Sequence, residues 1–208
     1  EPFGLPEGLA VPLARAAHAV MAREQMLGLA RRAEQSTGAR RLEPFIPHPE
    51  ICERHSTLVA APAAFVMHAA RSFDMQSIGP VHALFSLRSR LMSAEEGAPD
   101  RGEGLAESTR KMGWGVLVDE PGRAYLSGAA CQPWEANVVF SPLTAEDFAS
   151  YSEPDYVKIA WSIEVESIDP SLCRLSTETR VTATDEQGRR NFRRYWRIFG
   201  KGILAIRW

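Results

Sequence analysis

Residues 184–208 read TDEQGRRNFRRYWRIFGKGILAIRW and predict one long amphipathic helix at the end of the chain. Bulky apolar residues recur there at steps of three and four positions, the spacing that places side chains on one helical face. They are Phe192, Tyr195, Trp196, Phe199, Ile203 and Ile206. Most of the other positions are basic: Arg189, Arg190, Arg193, Arg194, Arg197 and Lys201. We therefore expect the aromatic face of this helix to lie on the rest of the protein.

The start of this helix carries the sequence signals of a capped N-terminus. Thr184 and Gln187 have the spacing of a capping box. Asp185 and Glu186 place negative charge at the positive end of the helix dipole. These signals predict that Thr184 caps the helix.

The strands before the helix are indicated by a change of hydrophobic period to two. Met112–Val118 and Arg123–Ala130 flank the turn signal Asp119-Glu120-Pro121-Gly122 and predict an antiparallel hairpin. Trp134–Phe140 is expected to be a third strand, followed by a loop over Ser141–Pro154. Two longer strands are predicted at Tyr156–Ser167 and Leu172–Thr184, joined by a turn at Asp169-Pro170-Ser171.

Alternation along the two long strands assigns their side chains to two sides of the sheet. The apolar set of the first strand is Val157, Ile159, Trp161, Ile163 and Val165. The inward set of the second is Cys173, Leu175, Thr177, Thr179, Val181 and Ala183. The charged residues between them face the other way, so Glu164 or Glu166 is expected to lie opposite Arg174 or Arg180 on a solvated side.

One strand and two short helices are predicted upstream of the hairpin. Ile51–Ala60 alternates like a strand, and Ala63–Phe73 reads as a helix whose first turn follows Pro62. A second short helix is indicated around Val81–Met92. Ser93–Arg110 is rich in glycine and charge and is expected to be a mobile loop.

The first part of the chain is predicted to be separate from this β-rich part. We expect residues 1–49 to form an N-terminal helical extension with a Pro-rich linker at Leu42–Pro49, and residues 50–208 to form the main domain. A solvated helix docked by a narrow stripe is favoured, and a membrane-surface or partner-binding helix is the alternative. Its stripe consists of Leu9, Leu13, Ala17, Val20 and Leu27.

Composition bounds the classes of function. The 208 residues are 45% hydrophobic, so the chain can bury a sizeable core. A formal net charge of −2 argues against a general nucleic-acid binder, although the basic last helix leaves a local anionic partner open. No apolar run reaches membrane-spanning length, so any membrane contact is expected to be peripheral. Composition leaves the oligomeric state open.

Cysteine and histidine spacing gives no support for a disulfide framework, a metal or another cofactor. Cys52, Cys131 and Cys173 are odd in number and lack zinc-type spacing. They are expected to be small buried side chains in a reducing compartment, which favours a cytoplasmic location. His55 and His68, with His82, have no ligand spacing.

Three stretches resemble bacterial members of the START-like (SRPBCC) superfamily, the helix-grip group that includes polyketide cyclases and Bet v 1-like proteins. They are Tyr156-Val-Lys-Ile-Ala-Trp161, Leu175-Ser-Thr-Glu-Thr-Arg-Val181 and Phe192-Arg-Arg-Tyr-Trp-Arg197. The resemblance covers about residues 50–208. It implies an α+β helix-grip fold, in which a curved antiparallel sheet of six or seven strands surrounds the C-terminal helix. It also implies a cavity for an apolar or amphipathic small molecule between the sheet and that helix.

The residues offer a physical reason for such a cavity. Thr177, Thr179 and Ala183 are small and face a helix crowded with aromatic side chains. One interpretation is tight interdigitation that leaves no space. In the other, a gap remains with a few hydroxyls to orient a ligand. The expected ligand-binding residues are Trp114, Trp134, Trp161, Thr177, Thr179, Tyr195 and Phe199.

Binding of a hydrophobic or amphipathic small molecule, with transport as an extension, is therefore the function the sequence favours. One alternative, drawn from the resemblance, is a cyclase or dehydratase that uses a polar pocket residue. Glu178 and Arg180 are its candidates, but alternation places them away from Thr179 and favours a surface ion pair. The other alternative is an interaction protein whose cavity is filled by its own side chains.

Overall fold

The computed structural model describes residues 41–74, 90 and 104–205, with side chains as far as Gly200. Apart from residue 90, the predicted helix at Val81–Met92 lies outside these residues. The stripe of the N-terminal extension and Ile206 lie outside them as well. The expected boundary between residues 49 and 50 stays a prediction.

Six antiparallel strands form one sheet within the described residues. The strands are β1 (Ile51–Val59), β2 (Gly115–Glu120), β3 (Ala124–Cys131), β4 (Ser141–Pro142), β5 (Val157–Asp169) and β6 (Leu172–Ala183). Their order is β1-β6-β5-β3-β2, and β4 pairs with the end of β3. The first strand therefore closes on the last, and the two longest strands occupy the middle of the sheet.

Four helices connect or follow these strands in the described part of the chain. They are α1 (Ala63–Arg71), α2 (Leu105–Lys111), α3 (Ala145–Ser150) and α4 (Glu186–Ala205). The 20-residue α4 packs on the sheet through Phe192, which joins a buried cluster with Val157 and Val181. The α+β architecture predicted from the sequence, an antiparallel sheet with the C-terminal helix packed on it, is thereby confirmed.

Each side of the sheet has its own covering layer. Odd-numbered residues of β5 and β6 face α1 and α4, and we call this the inner side. Even-numbered residues face α3 and the segment 41–46, and we call this the outer side. The outer cluster consists of Leu42, Ile46, Leu117, Ala124, Leu126, Phe148 and Ala160. The segment predicted as a linker therefore supplies two fully buried core residues, Leu42 and Ile46.

The start of α4 differs in detail from the prediction. Asp185, rather than Thr184, accepts the N–H of Gly188 on its carboxylate, at 2.7 Å. The hydroxyl of Thr184 instead exchanges hydrogen bonds with the backbone of Tyr156, at 3.0 and 3.1 Å. The prediction of a capping box was wrong, because Thr184 is held by hydrogen bonds to Tyr156. Asp185, the next residue, caps the helix instead.

Between α1 and β5, one predicted strand and two predicted loops differ from the structure. Residues 134–140 form no strand, because a turn with a hydrogen bond from Glu135 N–H to the Gln132 carbonyl ends β3, and pairing resumes only at β4. Residues 105–110 belong to α2, although a loop was expected there. The predicted loop at Ser141–Pro154 contains both β4 and α3, and the first turn of α3 is capped by the Thr144 hydroxyl accepting from Asp147 N–H.

Candidate ligand-binding site

Two buried apolar clusters lie on the inner side, one under each helix. The α1 cluster lies at one end of the long strands and consists of Val66, Met67, Ile163, Val165 and Cys173. The α4 cluster lies at the other end and consists of Cys131, Val157, Val181, Ala183 and Phe192. Each helix therefore closes its own end of the inner side.

The middle of the inner side, between these clusters, is only half-buried. Trp161 of β5 lies opposite Thr179 of β6, and Glu53 of β1 lies opposite Thr179 on its other flank. The next row places His55 beside Thr177. We call these five residues the inner strip, and all of them keep part of their surface exposed. Glu53 and His55 belong to the edge strand β1, but Trp161, Thr177 and Thr179 lie on interior strands, which are ordinarily the most buried part of a covered sheet. Their partial exposure therefore marks a place where the covering layer is thin.

Tyr125 of β3 lies beside the inner strip and carries an unpartnered hydroxyl. Its ring centroid is 5.6 Å from that of Trp161, and the side chain is only 1% exposed. The hydroxyl oxygen is buried and has no hydrogen-bond partner among the described residues. Such a group ordinarily costs about 1–3 kcal/mol unless it is satisfied. Tyr125 thus offers an unused donor next to the strip.

The surroundings of Tyr125 fix its ring and its protonation state. The Arg71 guanidinium lies over the ring, 4.6 Å from the centroid, and makes a two-point hydrogen bond to Asp119 at 2.7 and 3.0 Å. Burial raises the pKa of the Tyr125 hydroxyl, partly offset by the charge of Arg71. The hydroxyl is therefore protonated at neutral pH and can both donate and accept a hydrogen bond.

The residues predicted to bind a ligand fall into three groups. Trp161, Thr177 and Thr179 belong to the inner strip. Trp134 and Tyr195 pack against the α4 cluster, and the buried Phe199 contacts Tyr195 with ring centroids 5.1 Å apart.

Trp114 stands apart from both groups. It precedes β2, and its ring contacts Phe140 with centroids 5.3 Å apart. Phe140 in turn packs against the α4 cluster. Trp114 is thus linked to the α4 end of the inner side through one intervening ring.

The inner face of α4 is shaped by a glycine. A Cβ added at Gly200 would lie 2.7 Å from the Trp196 ring, closer than real contacts allow. The absence of a side chain there lets Trp196 fold along the helix, where it stacks on Phe192 at 5.7 Å between centroids. The aromatic stripe read from the sequence is therefore confirmed for Phe192, Tyr195, Trp196 and Phe199.

The outer side holds a buried ion pair where a surface pair was predicted. Glu178 and Arg180 are each 2% exposed, and Arg180 Nε donates to Glu178 Oε1 at 2.5 Å. Arg180 also donates to the carbonyl of Ile46 at 2.8 Å, and Arg54 lies 3.4 Å from Glu178. The surface assignment was wrong because the segment 41–46 covers this side of β6.

Ionisable groups with shifted pKa values also lie on the outer side. Burial raises the pKa of Glu164, an effect reduced by the hydrogen bond from Ser162 and by the charges of Arg54 and Arg41. Burial lowers the pKa of Lys158, whose ammonium donates to the Ala149 carbonyl at 3.0 Å. Lys158 and Glu164 are even-numbered residues of β5 and lie on the outer side, so neither side chain reaches the inner strip.

The cysteines differ in burial, and the described residues hold no cluster of metal ligands. Cys131 and Cys173 are buried as predicted, but Cys52 is exposed, and its thiol lies 3.6 Å from Glu178 Oε1. Within the described ranges, no group of three or more His, Cys, Asp and Glu side chains could hold a metal ion. None of the helices in those ranges has the length and apolar content that crossing a membrane requires.

Three members of this region were not predicted from the sequence: Tyr125, and the two β1 residues Glu53 and His55. Tyr125 reads as one aromatic residue of a fully buried strand, and nothing local indicates that its hydroxyl lacks a partner. Glu53 joins the strip only because β1 pairs with β6, a contact between residues far apart in the chain. The cross-strand register would have identified Glu53, since an edge strand beside β6 must place a side chain opposite Thr179.

Comparison with known proteins gives weak similarities. No protein-family model matches the chain, and no curated protein matches it. The crystal structure of DR_A0006 from Deinococcus radiodurans is 11% identical with a TM-score of 0.27, over 71% of this chain and 95% of that one. The crystal structure of Ara h 8.0201 is 11% identical with a TM-score of 0.18, over 75% of this chain and 96% of that one. The fold description therefore rests on the strand order and register given above.

Proposed function

We propose that the protein binds a hydrophobic or amphipathic small molecule on the inner side of the sheet, at the inner strip. The observation that carries the proposal is the partial exposure of the strip in the middle of a sheet whose two ends are closed by buried apolar clusters. Trp161 supplies an apolar surface there, and Thr177 and Thr179 supply hydroxyls. The other strip residues, Glu53 and His55, are also polar, so the apolar contacts of a ligand would come from Trp161 and the flanking clusters. Apolar surface combined with placed polar groups is typical of small-molecule sites.

The unpartnered hydroxyl of Tyr125 favours an amphipathic ligand over a pure hydrocarbon. A ligand oxygen that pairs with this hydroxyl removes the cost of leaving it unsatisfied, and a hydrocarbon cannot do so. Because the hydroxyl is enclosed, a neighbouring side chain has to move before a ligand reaches it. Trp161 packs against the same ring and is half-buried, so we expect Trp161 to move.

The first experiment asks whether the protein binds such a molecule. Protein purified from its host is examined by native mass spectrometry, with organic extraction of any retained compound. Stripped protein is then titrated with the amphipathic probe 8-anilinonaphthalene-1-sulfonate. Thr177→Phe fills the strip and is expected to weaken probe binding at least about tenfold. Thr182→Phe, a matched change on the outer side of the same strand, is expected to leave it unchanged.

Two results would refute the proposal. One is a parent protein that retains no compound and does not bind the probe. The other is equal loss of binding in Thr177→Phe and Thr182→Phe with equal folding, because the effect would then not depend on the side of the sheet.

Tyr125→Phe tests the polar anchor separately. Removing an unsatisfied buried hydroxyl is expected to leave the free energy of unfolding unchanged or to raise it by about 1 kcal/mol, as measured by urea denaturation. The same variant is expected to bind the probe about fivefold to tenfold more weakly, since a hydrogen bond to the ligand is lost. A variant that loses stability and keeps its affinity would show that the hydroxyl has a structural partner instead.

A further inference from the structure

The face of α4 that points away from the sheet carries a compact group of arginines. Arg190, Arg193, Arg194 and Arg197 are all exposed and are spaced by three and four residues. At 3.6 residues per turn they fall within about 100° of helix surface. Phe192 and Phe199, which are buried, lie on the opposite face. We call these four residues the arginine face.

The arginine face has little acidic compensation within the described part of the chain. Arg189, just outside it, pairs with Glu50 and Glu186, whereas Arg190 donates to the neutral amide oxygen of Gln187. No ion pair is found among the described residues for Arg193, Arg194 or Arg197. Like charges three and four positions apart repel, so the arrangement costs helix stability. An anionic partner would remove that cost.

An exposed apolar residue lies at the edge of this face. Ile198 follows Arg197 and is 67% exposed. A branched apolar side chain beside a group of guanidiniums matches the boundary between phosphate headgroups and acyl chains. A nucleic-acid backbone offers phosphates but no apolar phase for Ile198. The net charge of −2 for the whole chain also favours a local contact by this face over general binding to polyanions.

We propose that the arginine face binds the surface of a bilayer containing anionic phospholipids, with Ile198 entering its interfacial region. The contact is peripheral, because the aromatic face of α4 is already used against the sheet. This inference does not depend on the inner strip, since the arginine face points away from the sheet that carries the strip. It does place the proposed ligand site beside a membrane from which an amphipathic molecule could be taken.

The test is vesicle co-sedimentation of the full chain. Vesicles of phosphatidylcholine with about one-third phosphatidylglycerol are compared with vesicles of phosphatidylcholine alone. The parent is expected to bind only the anionic vesicles and to be released as salt shortens the Debye length. Arg193→Glu/Arg197→Glu is expected to weaken this binding at least about tenfold, from the contribution of each basic residue near an anionic surface.

The matched control applies the same change of net charge elsewhere. Arg110→Glu/Arg123→Glu reverses two exposed arginines outside α4 and is expected to keep most of the binding. Ile198→Ser is expected to weaken it by a smaller factor, about twofold to fivefold. Circular dichroism and urea denaturation confirm that each variant is folded.

Several outcomes would overturn the proposal. One is a parent protein that does not bind anionic vesicles. The others are an equal loss of vesicle binding in the two double variants and vesicle binding that does not change with salt. Binding of an RNA oligonucleotide by the parent, lost in Arg193→Glu/Arg197→Glu while vesicles are not bound, would assign the arginine face to phosphate backbones instead.

Discussion

The two sides of strand β6 are buried in different places: the inner side at the ends of the strand and the outer side in its middle. On the outer side, Glu178 and Arg180 are enclosed and hydrogen-bonded to each other, to Arg54 and to the Ile46 carbonyl. On the inner side, Thr177 and Thr179 remain half-buried between two apolar clusters. The buried ion pair of β6 therefore lies where the outer side is sealed, and the two threonines of β6 lie where the inner side is accessible.

The difference indicates that the two sides of the sheet have different roles. Buried charges tolerate little change, because removing one partner leaves the other desolvated. Half-exposed threonines tolerate change, because water or a ligand can replace their contacts. We expect the outer side to determine stability and the inner side to determine binding, and four measurements test this difference in order of expected effect.

Arg180→Met is expected to give the largest effect, a loss of about 3–5 kcal/mol in the free energy of unfolding. The substitution keeps much of the side-chain volume but leaves the buried Glu178 with a single charged partner among the described residues, Arg54 at 3.4 Å, and the Cys52 thiol at 3.6 Å. Urea denaturation measures the loss. Arg174→Met is the control, because Arg174 lies 3.7 Å from the exposed Glu166 and should cost less than about 1 kcal/mol. Similar losses in both variants would contradict a sealed outer side.

Gly128→Val tests how tightly the outer side is packed. A Cβ at Gly128 would lie 2.8 Å from Leu117 Cδ1 and 2.9 Å from the Phe148 ring. Overpacking a dense core costs about 1–3 kcal/mol, which thermal or urea unfolding would detect. The double variant Gly128→Val/Leu117→Ala is expected to cost less than the sum of the single changes, because the two sites are in contact. Strict additivity would argue against this contact.

Glu164→Gln tests the electrostatics of the outer side through pH. Burial raises the pKa of Glu164 in the folded protein, so the folded state binds more protons than the unfolded state just above the unfolded value of about 4.3. Stability from this group is fully present below that value and is lost as pH rises through the folded pKa. Glu164→Gln should therefore show a flatter decline over this window than the parent and greater stability above it.

Urea denaturation at several pH values measures the difference between the two proteins. Taking the difference removes the contribution of other carboxylates that titrate in the same range. A steeper decline in Glu164→Gln than in the parent would contradict the assigned direction of the pKa shift.

The sequence predicted this architecture because its signals are local. Period-two alternation in β5 and β6, the turn at residues 169–171 and the aromatic stripe of α4 each follow from neighbouring residues. The burial of Glu178 and Arg180 could not be predicted in the same way. It depends on the segment 41–46, about 130 residues earlier in the chain, and three prolines in residues 42–49 read as a linker rather than as a covering layer.

The candidate site shows the same limit. Trp161, Thr177 and Thr179 were placed on one side by alternation alone, and the structure keeps them together. Glu53 and Tyr125 enter through cross-strand pairing and through a missing hydrogen bond, and neither is visible in the sequence around those residues. The alternation of apolar residues at 134–140 predicted a strand that does not form. Trp134, Val138 and Phe140 pack against the α4 cluster without pairing their backbone to a neighbouring strand.

The smallest expected effect compares two adjacent residues on opposite sides of β6. Ser176 is buried on the outer side and shares a hydrogen bond with Ser56, with hydroxyl oxygens 3.0 Å apart, so Ser176→Ala should cost about 1 kcal/mol. Thr177→Val, on the inner strip, keeps its shape and should change the free energy of unfolding by less than about 0.5 kcal/mol. Urea denaturation of both variants gives the comparison, and 8-anilinonaphthalene-1-sulfonate titration should show weaker binding only in Thr177→Val. If Thr177→Val is the more destabilised and both bind the probe equally, stability and binding are not divided between the two sides of the sheet.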